Sequence, residues 1–458
     1  MAGWTNLKKL LEEEIVQRRE EGCNVDGFRE RWEALGEDKA GLDALYDELM
    51  LVDIDPAFPY NEPSDYEGIQ EQRSKNAPML QKIDEIDKDR FVGAWLGRCC
   101  GCALGVPLET GEFMAGKDGI PGWKLVYEWF KGANEYPIKN YVPTESTATE
   151  KYGVNVRNCK SLKDRIAFMD TDDDIRYTVL GLMMLEKKGL DFEPLDVGKL
   201  WHNTLTLKQV CTAETQAYLN YAYAHDLLGN ESTLEQKDKI LDWVRTHRNP
   251  YREWIGAQIR VDGYAYGAAG DPELAAELAW RDSSFSHVKN GIYGAMFCSA
   301  MIATAFVEKD SKKIVQAGLA QIPQNSRLAH DIKKAIVIAE NATDEIDLVS
   351  KIWDAFSHYS HVHTNNNASL CAAAIIYAGN DFEKAIGIAV LGGWDTDCNG
   401  ATVGSIMGAK LGTKGIPDTF AKPLNDKLYS AIPEFHPIAI SECGERSYQV
   451  YKKLKSLK

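Results

Sequence analysis

Residues 91–109 read FVGAWLGRCCGCALGVPLE and carry a glycine at every fourth position, at 93, 97, 101 and 105. Residues four apart lie on the same face of a helix, so these glycines would form one bare stripe. Each glycine costs a soluble helix about 1 kcal/mol relative to alanine. Four in register therefore indicate a buried helix that another backbone approaches closely. The apolar neighbours Trp95 and Leu96 favour this interpretation over a loop with scattered glycines.

A second stretch, NGATVGSIMGAKLG at 399–412, repeats the pattern near the other end of the chain. Its glycines stand at 400, 404, 408 and 412, again four residues apart. The same reasoning predicts a second buried helix with one bare face. We expect two central helices that pack closely, and packing against each other would explain both stripes.

Most of the remaining chain has the apolar spacing of amphipathic helices, so we predict an all-α, compact, multi-helix fold. Residues 110–165 are richer in Gly, Pro, Tyr and Thr, and we expect short strands there, for example over 123–127. Prolines at 56, 59 and 63 follow three short helical patterns. We therefore divide the chain into a helical N-terminal extension of unknown role, 1–80, and a main domain, 81–458.

The bulk composition excludes several classes of protein. The 458 residues carry a net charge of −16, whereas binding nucleic acid or an anionic membrane through bulk charge requires a positive sign. No window reaches the roughly 18 apolar residues of a membrane span, and the N-terminus lacks an apolar signal region. We expect no nucleic-acid or membrane partner, and a cytoplasmic protein whose ten cysteines are reduced.

Two clusters of possible soft ligands rank low as metal sites. Cys99, Cys100 and Cys102 lack the two-residue spacer of zinc sites and are interpreted as small buried hydrophobes. His361 and His363 could ligate a transition metal, but the asparagines that follow favour the start of a helix.

The acidic run DTDDD at 170–174 precedes an apolar stretch with helical spacing. Threonine and aspartate commonly cap helices, and acids in the first turn complement the helix dipole. Four carboxylates within five positions also repel one another unless water or a cation neutralises them. Because hard cations such as Mg²⁺ and Ca²⁺ prefer oxygen ligands, this motif alone leaves both a helix cap and a metal site open.

A second acidic motif, GGWDTDCNG at 392–400, opens the second glycine-striped helix. An acidic cap is again the alternative, but unpaired carboxylates such as Asp395 and Asp397 are costly at the start of a buried helix. A shared cation would neutralise both acidic groups, so together they favour a metal site more than either does alone. Glu109 directly follows the first striped helix, and we expect it near the core rather than in solvent.

These three segments together resemble the ADP-ribosylglycohydrolase family. GAWLGRCCGCALGVPLE at 93–109 is similar to the family's opening helix, and Thr171-Asp172-Asp173 to its Thr-Asp-Asp metal motif. Asp395-Thr396-Asp397 is similar to its C-terminal Asp-Thr-Asp motif, and the helical middle, 268–306, agrees as well, with its single His287. The resemblance covers roughly 88–420 and leaves out the first 80 residues.

The resemblance implies an all-helical fold with a central dinuclear site for divalent cations, Mg²⁺ first and Mn²⁺ second. The implied ligands are Thr171, Asp172, Asp173, Asp395 and Asp397, and the implied catalytic residues are Glu109, Asp172 and Asp397. The family cleaves the bond to the anomeric carbon of a ribose. We therefore predict a metal-dependent glycohydrolase acting on a small-molecule or ADP-ribosylated substrate, which agrees with the metal and carboxylate chemistry of glycosidic bonds.

Departures from the family pattern bear on the substrate. The chain has Cys398 where threonine is usual, Trp394 where glycine is usual, Cys102 where aspartate is common and Asp174 where threonine is common. Asp262 is added to GAQIRVD at 256–262, which occupies the place of a substrate segment. We predict that Trp394, Asp262 and Cys398 contact the substrate, although Trp394 is equally well explained as a core aromatic. Two alternatives are a hydrolase of another N- or O-glycoside, such as a nucleoside or sugar conjugate, and a non-catalytic ligand-binding or structural relative.

Overall fold

The computed structural model describes residues 6–80, 83, 85–224 and 233–457. The fold is all-α, as predicted, with one pair of two-residue strands in the described part of the chain. The N-terminal helices are α1 (Leu7–Glu20), α2 (Phe28–Leu35), α3 (Lys39–Met50) and α4 (Tyr66–Gln72). The next helices are α5 (Lys88–Gly105), α6 (Gly111–Ala115), α7 (Gly122–Gly132), α8 (Ala148–Tyr152), α9 (Asp173–Lys188), α10 (Pro194–Thr204), α11 (Thr212–Ala224) and α12 (Leu234–Thr246).

The second half continues in the same way. Its helices are α13 (Asp262–Gly267), α14 (Pro272–Ser283), α15 (Lys289–Ala305), α16 (Ser311–Leu319), α17 (Arg327–Asn341), α18 (Glu345–Phe356), α19 (Thr364–Ala378), α20 (Phe382–Leu391), α21 (Thr396–Leu411), α22 (Asp418–Ala421) and α23 (Ile440–Lys455). Strands β1 (Lys427–Leu428) and β2 (Ile438–Ala439) pair antiparallel between α22 and α23.

The two glycine-striped helices, α5 and α21, pack directly on each other, which confirms the expectation from their stripes. They run antiparallel, since Gly93 lies against Gly408, Gly97 against Gly404 and Gly101 against Gly400. A Cβ on Gly93 would lie 2.6 Å from the carbonyl oxygen of Gly408, so a side chain there would push the helices apart. The backbones therefore meet at the centre of the main hydrophobic core.

The α5 region, Lys88–Leu108, is long and apolar enough to cross a membrane by length and composition alone, unlike any window we expected from the sequence. The stretch is 89% buried inside the fold. Its apolar residues are thus accounted for by packing against neighbouring helices.

The prediction of a strand at 123–127 was wrong, because these residues belong to α7. Leu125, Val126, Trp129 and Phe130 are buried together on one face of that helix. Their spacing of three and four residues satisfies a helix, and burial of that face outweighs the strand preference of the aromatic and β-branched residues.

The N-terminal helices form a small core of their own and also dock on the rest of the chain. Leu11, Leu45 and Leu49 are buried within that core. Arg252 lies between the extension and the main helices, where its guanidinium pairs with Glu14 at 2.7 Å and Glu21 at 2.9 Å. The boundary predicted near residue 80 borders residues 81, 82 and 84, which lie outside the described part of the chain.

Candidate active site

The antiparallel pairing of α5 and α21 brings the end of one helix to the start of the other. Thr396 at the start of α21 donates its hydroxyl to the carbonyl oxygen of Gly105 at the end of α5, at 2.9 Å. Glu109 leaves α5 through the short 3₁₀ turn Val106–Leu108. Glu109 and Asp397, which are 288 positions apart by their numbers, therefore share one end of the helix pair.

The start of α9 is held at the same place by a buried arginine. Arg98 of α5 has no exposed surface, and its Nε donates to the hydroxyl of Thr178 at 2.6 Å. One of its terminal nitrogens donates to the carboxylate of Asp174 at 3.1 Å, and the other pairs with Asp262 at 3.0 Å. Because Arg98 ties α5 to the first turn of α9, the DTDDD motif faces the start of α21.

This arrangement joins the two acidic motifs into one centre. Single ligand atoms of Asp172, Asp174, Asp397 and Cys102 all lie within 4.8 Å of one another. A second group at the same spacing contains Asp395, Asp397 and Cys398. Asp397 belongs to both groups, so the residues form a continuous cluster of carboxylates and thiols.

Helix capping explains one motif and not the other. The side chain of Asp172 accepts a hydrogen bond from the backbone NH of Asp174 at 3.1 Å, as an N-cap does. Asp395 stands at the N-cap of α21 but makes no capping hydrogen bond. Asp397 is 2% exposed, and its Oδ1 has no hydrogen-bond partner. The carboxylates of the second motif are therefore left without the protein contacts that a cap would supply.

The electrostatics of the centre favour a bound cation. Burial, followed by the charge of Asp397, raises the pKa of Asp172 to about 6. Burial and the charge of Asp172 raise the pKa of Asp173 to about 6 as well. Burial also raises the pKa values of Asp395 and Asp397 above their ordinary range. Enclosed carboxylates that repel one another suit a divalent cation, which would stabilise the ionised forms.

Glu109 stands at the rim of this centre, with its side chain 35% exposed. Its Oε2 accepts a hydrogen bond from Arg157 at 2.8 Å. Burial, and then the charges of Asp397 and Asp172, raise the pKa of Glu109 to about 9. Since these carboxylates act on it electrostatically, Glu109 is placed where a bound cation would also act on it.

The predicted metal ligands are not all equally central. Asp172, Asp395 and Asp397 belong to the clustered groups, whereas neither Thr171 nor Asp173 does, among the residues that the structure describes. Thr171 is exposed, and its hydroxyl accepts from Arg176 at 2.9 Å and donates to the carbonyl oxygen of Ser430 at 3.1 Å. Asp173 is the first residue of α9 and retains some exposed surface beside Asp172.

The predicted substrate contacts lie mostly inside the protein. Trp394 is 2% exposed and has a left-handed backbone conformation with φ of 58°. Its ring stacks on Trp353, with centroids 5.2 Å apart and planes 14° from parallel. Asp262 has no exposed surface and pairs with Arg98. Cys398 is 5% exposed and donates its thiol to Asp174 at 3.2 Å. In this conformation the Trp394 ring and the Asp262 carboxylate offer a substrate almost no surface.

The sequence interpretation did not include several residues that help to build the centre: Cys102, Asp174, Arg98 and Trp353. The departures from the family pattern at 102 and 174 were the available signals for the first two. Arg98 and Trp353 carried no signal, because their partners lie far away along the chain.

The two histidines considered as transition-metal ligands have other roles. His363 is fully buried, and its Nδ1 accepts the backbone NH of Asn365 at 3.1 Å at the start of α19. Its ring stacks on Tyr359 with centroids 4.6 Å apart. Burial lowers the pKa of His361, which retains some exposed surface. The helix start that the sequence favoured is thus what the structure contains.

Comparison with known proteins agrees with the geometry. The family model described as ADP-ribosylglycohydrolase matches residues 84–448. The chain belongs to the ADP-ribosylglycohydrolase family. This membership supports a glycohydrolase-type function and agrees with the all-α fold. In the ADP-ribosylglycohydrolase match, both acidic motifs and Glu109 fall inside the matched region.

Two further comparisons add little to this assignment. A solved structure titled ADP-ribosylglycohydrolase-related protein complex aligns with 80% of this chain and 98% of its own chain. The two are 18% identical, with a TM-score of 0.46. No curated protein matched this chain in sequence.

Proposed function

We propose that this protein is a metal-dependent glycohydrolase that cleaves the bond to the anomeric carbon of ribose in ADP-ribose conjugates. The single observation that carries the proposal is the convergence of both acidic motifs and Glu109 at the end of the α5–α21 pair. The unpartnered Oδ1 of Asp397 and the mutual repulsion of these carboxylates support a divalent-cation site. Family membership supports the glycosidic bond as the target.

The roles follow from position and exposure. Asp172, Asp395 and Asp397 would hold the cations, with Asp173 and Thr171 at the more exposed side. Two divalent cations, Mg²⁺ first and Mn²⁺ second, would orient ribose hydroxyls and stabilise the charge that develops as the bond breaks. Glu109 stands at the rim, where it can accept a proton from water that attacks the anomeric carbon. Arg157 holds the Glu109 carboxylate by its hydrogen bond.

A direct assay tests the substrate. The chelator-treated full-length protein is incubated with Mg²⁺ or Mn²⁺ and with ADP-ribosylated arginine and serine peptides, and free ADP-ribose is measured by chromatography. We expect release from at least one conjugate with metal and none without it. If no conjugate releases ADP-ribose, the substrate assignment is wrong, and a panel of nucleosides and sugar conjugates then tests the other glycosides.

A variant pair tests the role of Glu109. Glu109→Gln keeps the shape of the side chain but cannot accept a proton as a carboxylate does. We expect kcat to fall by about 10²-fold or more, with the melting temperature unchanged. Glu112→Gln makes the same chemical change in α6, three residues along, and should retain full activity. Equal activity of the two variants would exclude Glu109 as the base.

Metal binding separates the enzyme from a non-catalytic relative. Melting of the purified protein with and without Mg²⁺ or Mn²⁺ is the measurement. A rise in melting temperature with either cation supports the enzyme, whereas no rise together with no hydrolysis favours a ligand-binding or structural relative. The proposal keeps the cytoplasm as the compartment, because free cysteines such as Cys23 and Cys211 suit a reducing environment.

A further inference from the structure

A thiol lies within the carboxylate cluster. Cys102 is on α5, one turn before Gly105, and it has no exposed surface. Its Sγ lies within 4.8 Å of one carboxylate oxygen from each of Asp172, Asp174 and Asp397, and those oxygens are within the same distance of one another. Four potential ligand atoms from three different helix regions therefore surround one point.

We propose that this point is a mixed sulfur–oxygen site for a borderline divalent cation such as Zn²⁺ or Co²⁺, with Cys102 as the sulfur ligand. The inference rests on the proposed function in one respect only, namely that both describe metal binding at the same acidic centre. It goes beyond that function by assigning Cys102 and Asp174 as ligands and by giving the preferred class of cation.

The charge around Cys102 supports a bound cation independently of the thiol. Asp397 contributes an Oδ1 that is buried and has no hydrogen-bond partner. Arg98 is the cation paired with Asp174, and it also serves Asp262, so it is shared between two carboxylates. Its bond to Asp174 uses Oδ1 and leaves Oδ2 facing the centre, where Cys398 contacts it. Enclosed carboxylates in excess over cationic partners are costly unless a metal is bound.

The chemistry of sulfur gives the choice of cation. Mg²⁺ prefers oxygen ligands and binds thiolates poorly, whereas Zn²⁺ and Co²⁺ accept thiolate, imidazole and carboxylate together. With bond lengths of about 2.0–2.3 Å, ligand atoms in a tetrahedral zinc site lie roughly 3.5 Å apart. The present upper limit of 4.8 Å requires only a modest contraction when the ion binds. Binding replaces the S–H bond with an S–metal bond and releases the proton to the buffer.

Cys102 is favoured over the other nearby thiol. Cys398 belongs to a group of three ligand residues rather than four, and its thiol already donates a hydrogen bond to Asp174 at 3.2 Å. Cys211 is the exposed cysteine among those described, and it lies close enough to Asp173 for their charges to interact. Both serve as comparisons in the experiment.

The test is a spectroscopic titration that does not depend on activity. Metal-stripped full-length protein is titrated with Co²⁺ under a non-thiol reductant, and the near-ultraviolet band from thiolate-to-cobalt charge transfer is recorded. We expect a saturable band that Zn²⁺ abolishes by displacement and that a large excess of Mg²⁺ does not. Calorimetry of Zn²⁺ binding in buffers of different ionisation enthalpy should show proton release.

Four serine variants assign the ligand. Cys102→Ser should lose the band and bind Zn²⁺ at least about tenfold more weakly, since even outer-shell changes weaken metal sites by about 10–100-fold. Cys99→Ser, on the same helix and equally buried, should keep the band, as should Cys398→Ser and the exposed Cys211→Ser. Loss of the band in Cys398→Ser or Cys211→Ser, with retention in Cys102→Ser, would overturn the assignment.

The outcome is decisive even if one variant does not fold. Absence of a saturable band in the wild-type protein overturns the inference without any variant, and circular dichroism checks each variant, with Cys102→Ala as the replacement for a misfolded Cys102→Ser. The two proposals also fail separately. Magnesium-dependent hydrolysis without a cobalt–sulfur band would retain the proposed function and reject this site, whereas a band without hydrolysis of any glycoside would do the reverse.

Discussion

Gly101 of α5 and Gly400 of α21 face each other so closely that neither position has room for a Cβ atom. A Cβ built on either residue would lie closer than 3.0 Å to the backbone of the other, nearest to its carbonyl oxygen. Backbone atoms cannot move aside as a flexible side chain can. The same helix contact sets the distance between Glu109 and Asp397, so the stripe positions the site as well as the core.

Gly101→Ala should therefore destabilise the protein even though alanine favours a helix. Overpacking typically costs about 1–3 kcal/mol, and here the clash is with backbone, so we expect the upper part of that range or more. Gly111→Ala is the control, because a Cβ on Gly111 of α6 meets nothing within 4 Å. Chemical denaturation measures both. Similar stability of the two variants would contradict the close packing of α5 on α21.

Asp397→Asn should separate metal binding from folding. The substitution removes one negative charge from a cluster whose carboxylates repel one another, so the metal-free protein should melt at the same temperature or higher. The rise in melting temperature on adding Mg²⁺ or Mn²⁺ should disappear, because ligand-linked stabilisation requires binding to the folded state. Differential scanning fluorimetry with and without cation measures this. An undiminished rise in the variant would exclude Asp397 as a ligand.

The metal-free protein should lose stability as pH rises. The folded-state pKa values of Asp172 and Asp173 are about 6 and that of Glu109 is about 9, above the roughly 4 expected in the unfolded chain. Between these limits the folded state binds more protons, so these groups stabilise it fully below about pH 4 and progressively less up to about pH 9.

Saturating Mg²⁺ should reduce that loss, because the cation stabilises the ionised carboxylates. The difference in melting temperature between Mg²⁺-loaded and metal-free protein should therefore grow from pH 5 to pH 8, as measured on resin-stripped samples. Asp397→Asn supplies the control and should show a difference near zero at each pH. A difference that stays constant in the wild type would contradict the raised pKa values.

Arg252→Ala tests how firmly the N-terminal extension is attached. Arg252 is 2% exposed and pairs with Glu14 and Glu21 of the extension, so its removal leaves two buried carboxylates without that partner. We expect a loss of about 3–5 kcal/mol, measured by denaturant unfolding. Arg31→Ala breaks the exposed pair with Glu48 and should leave the melting temperature unchanged. A small effect of Arg252→Ala would indicate that the extension contributes little to the stability of the main helices.

Much of the architecture could be predicted from local sequence. A four-residue glycine period specifies a bare helix face without reference to any other part of the chain, and both stripes were confirmed as the α5–α21 contact. The segment 123–127 shows the limit of such patterns. Its aromatic and β-branched residues suit either a strand or a helix, and burial of one face in the folded protein selected the helix.

The acidic motifs were readable for the same local reason. Asp172 and Asp397 each stand at the start of an apolar helical run, and the family resemblance joined the motifs into one predicted metal site. Capping, by contrast, could not be assigned from sequence, because Asp172 makes a capping hydrogen bond and Asp395 does not. That difference depends on side-chain direction at each helix start.

The tertiary structure alone determined which side chains meet. It enclosed Asp262 against Arg98, stacked Trp394 on Trp353 and placed Cys102 among the carboxylates. Periodicity along a helix specifies which residues share a face, but the partner of that face depends on how helices distant in sequence are rotated and aligned. The sequence by itself therefore determined the helices, their glycine faces and the acidic motifs. Packing decided that a thiol and a buried arginine belong to the same centre.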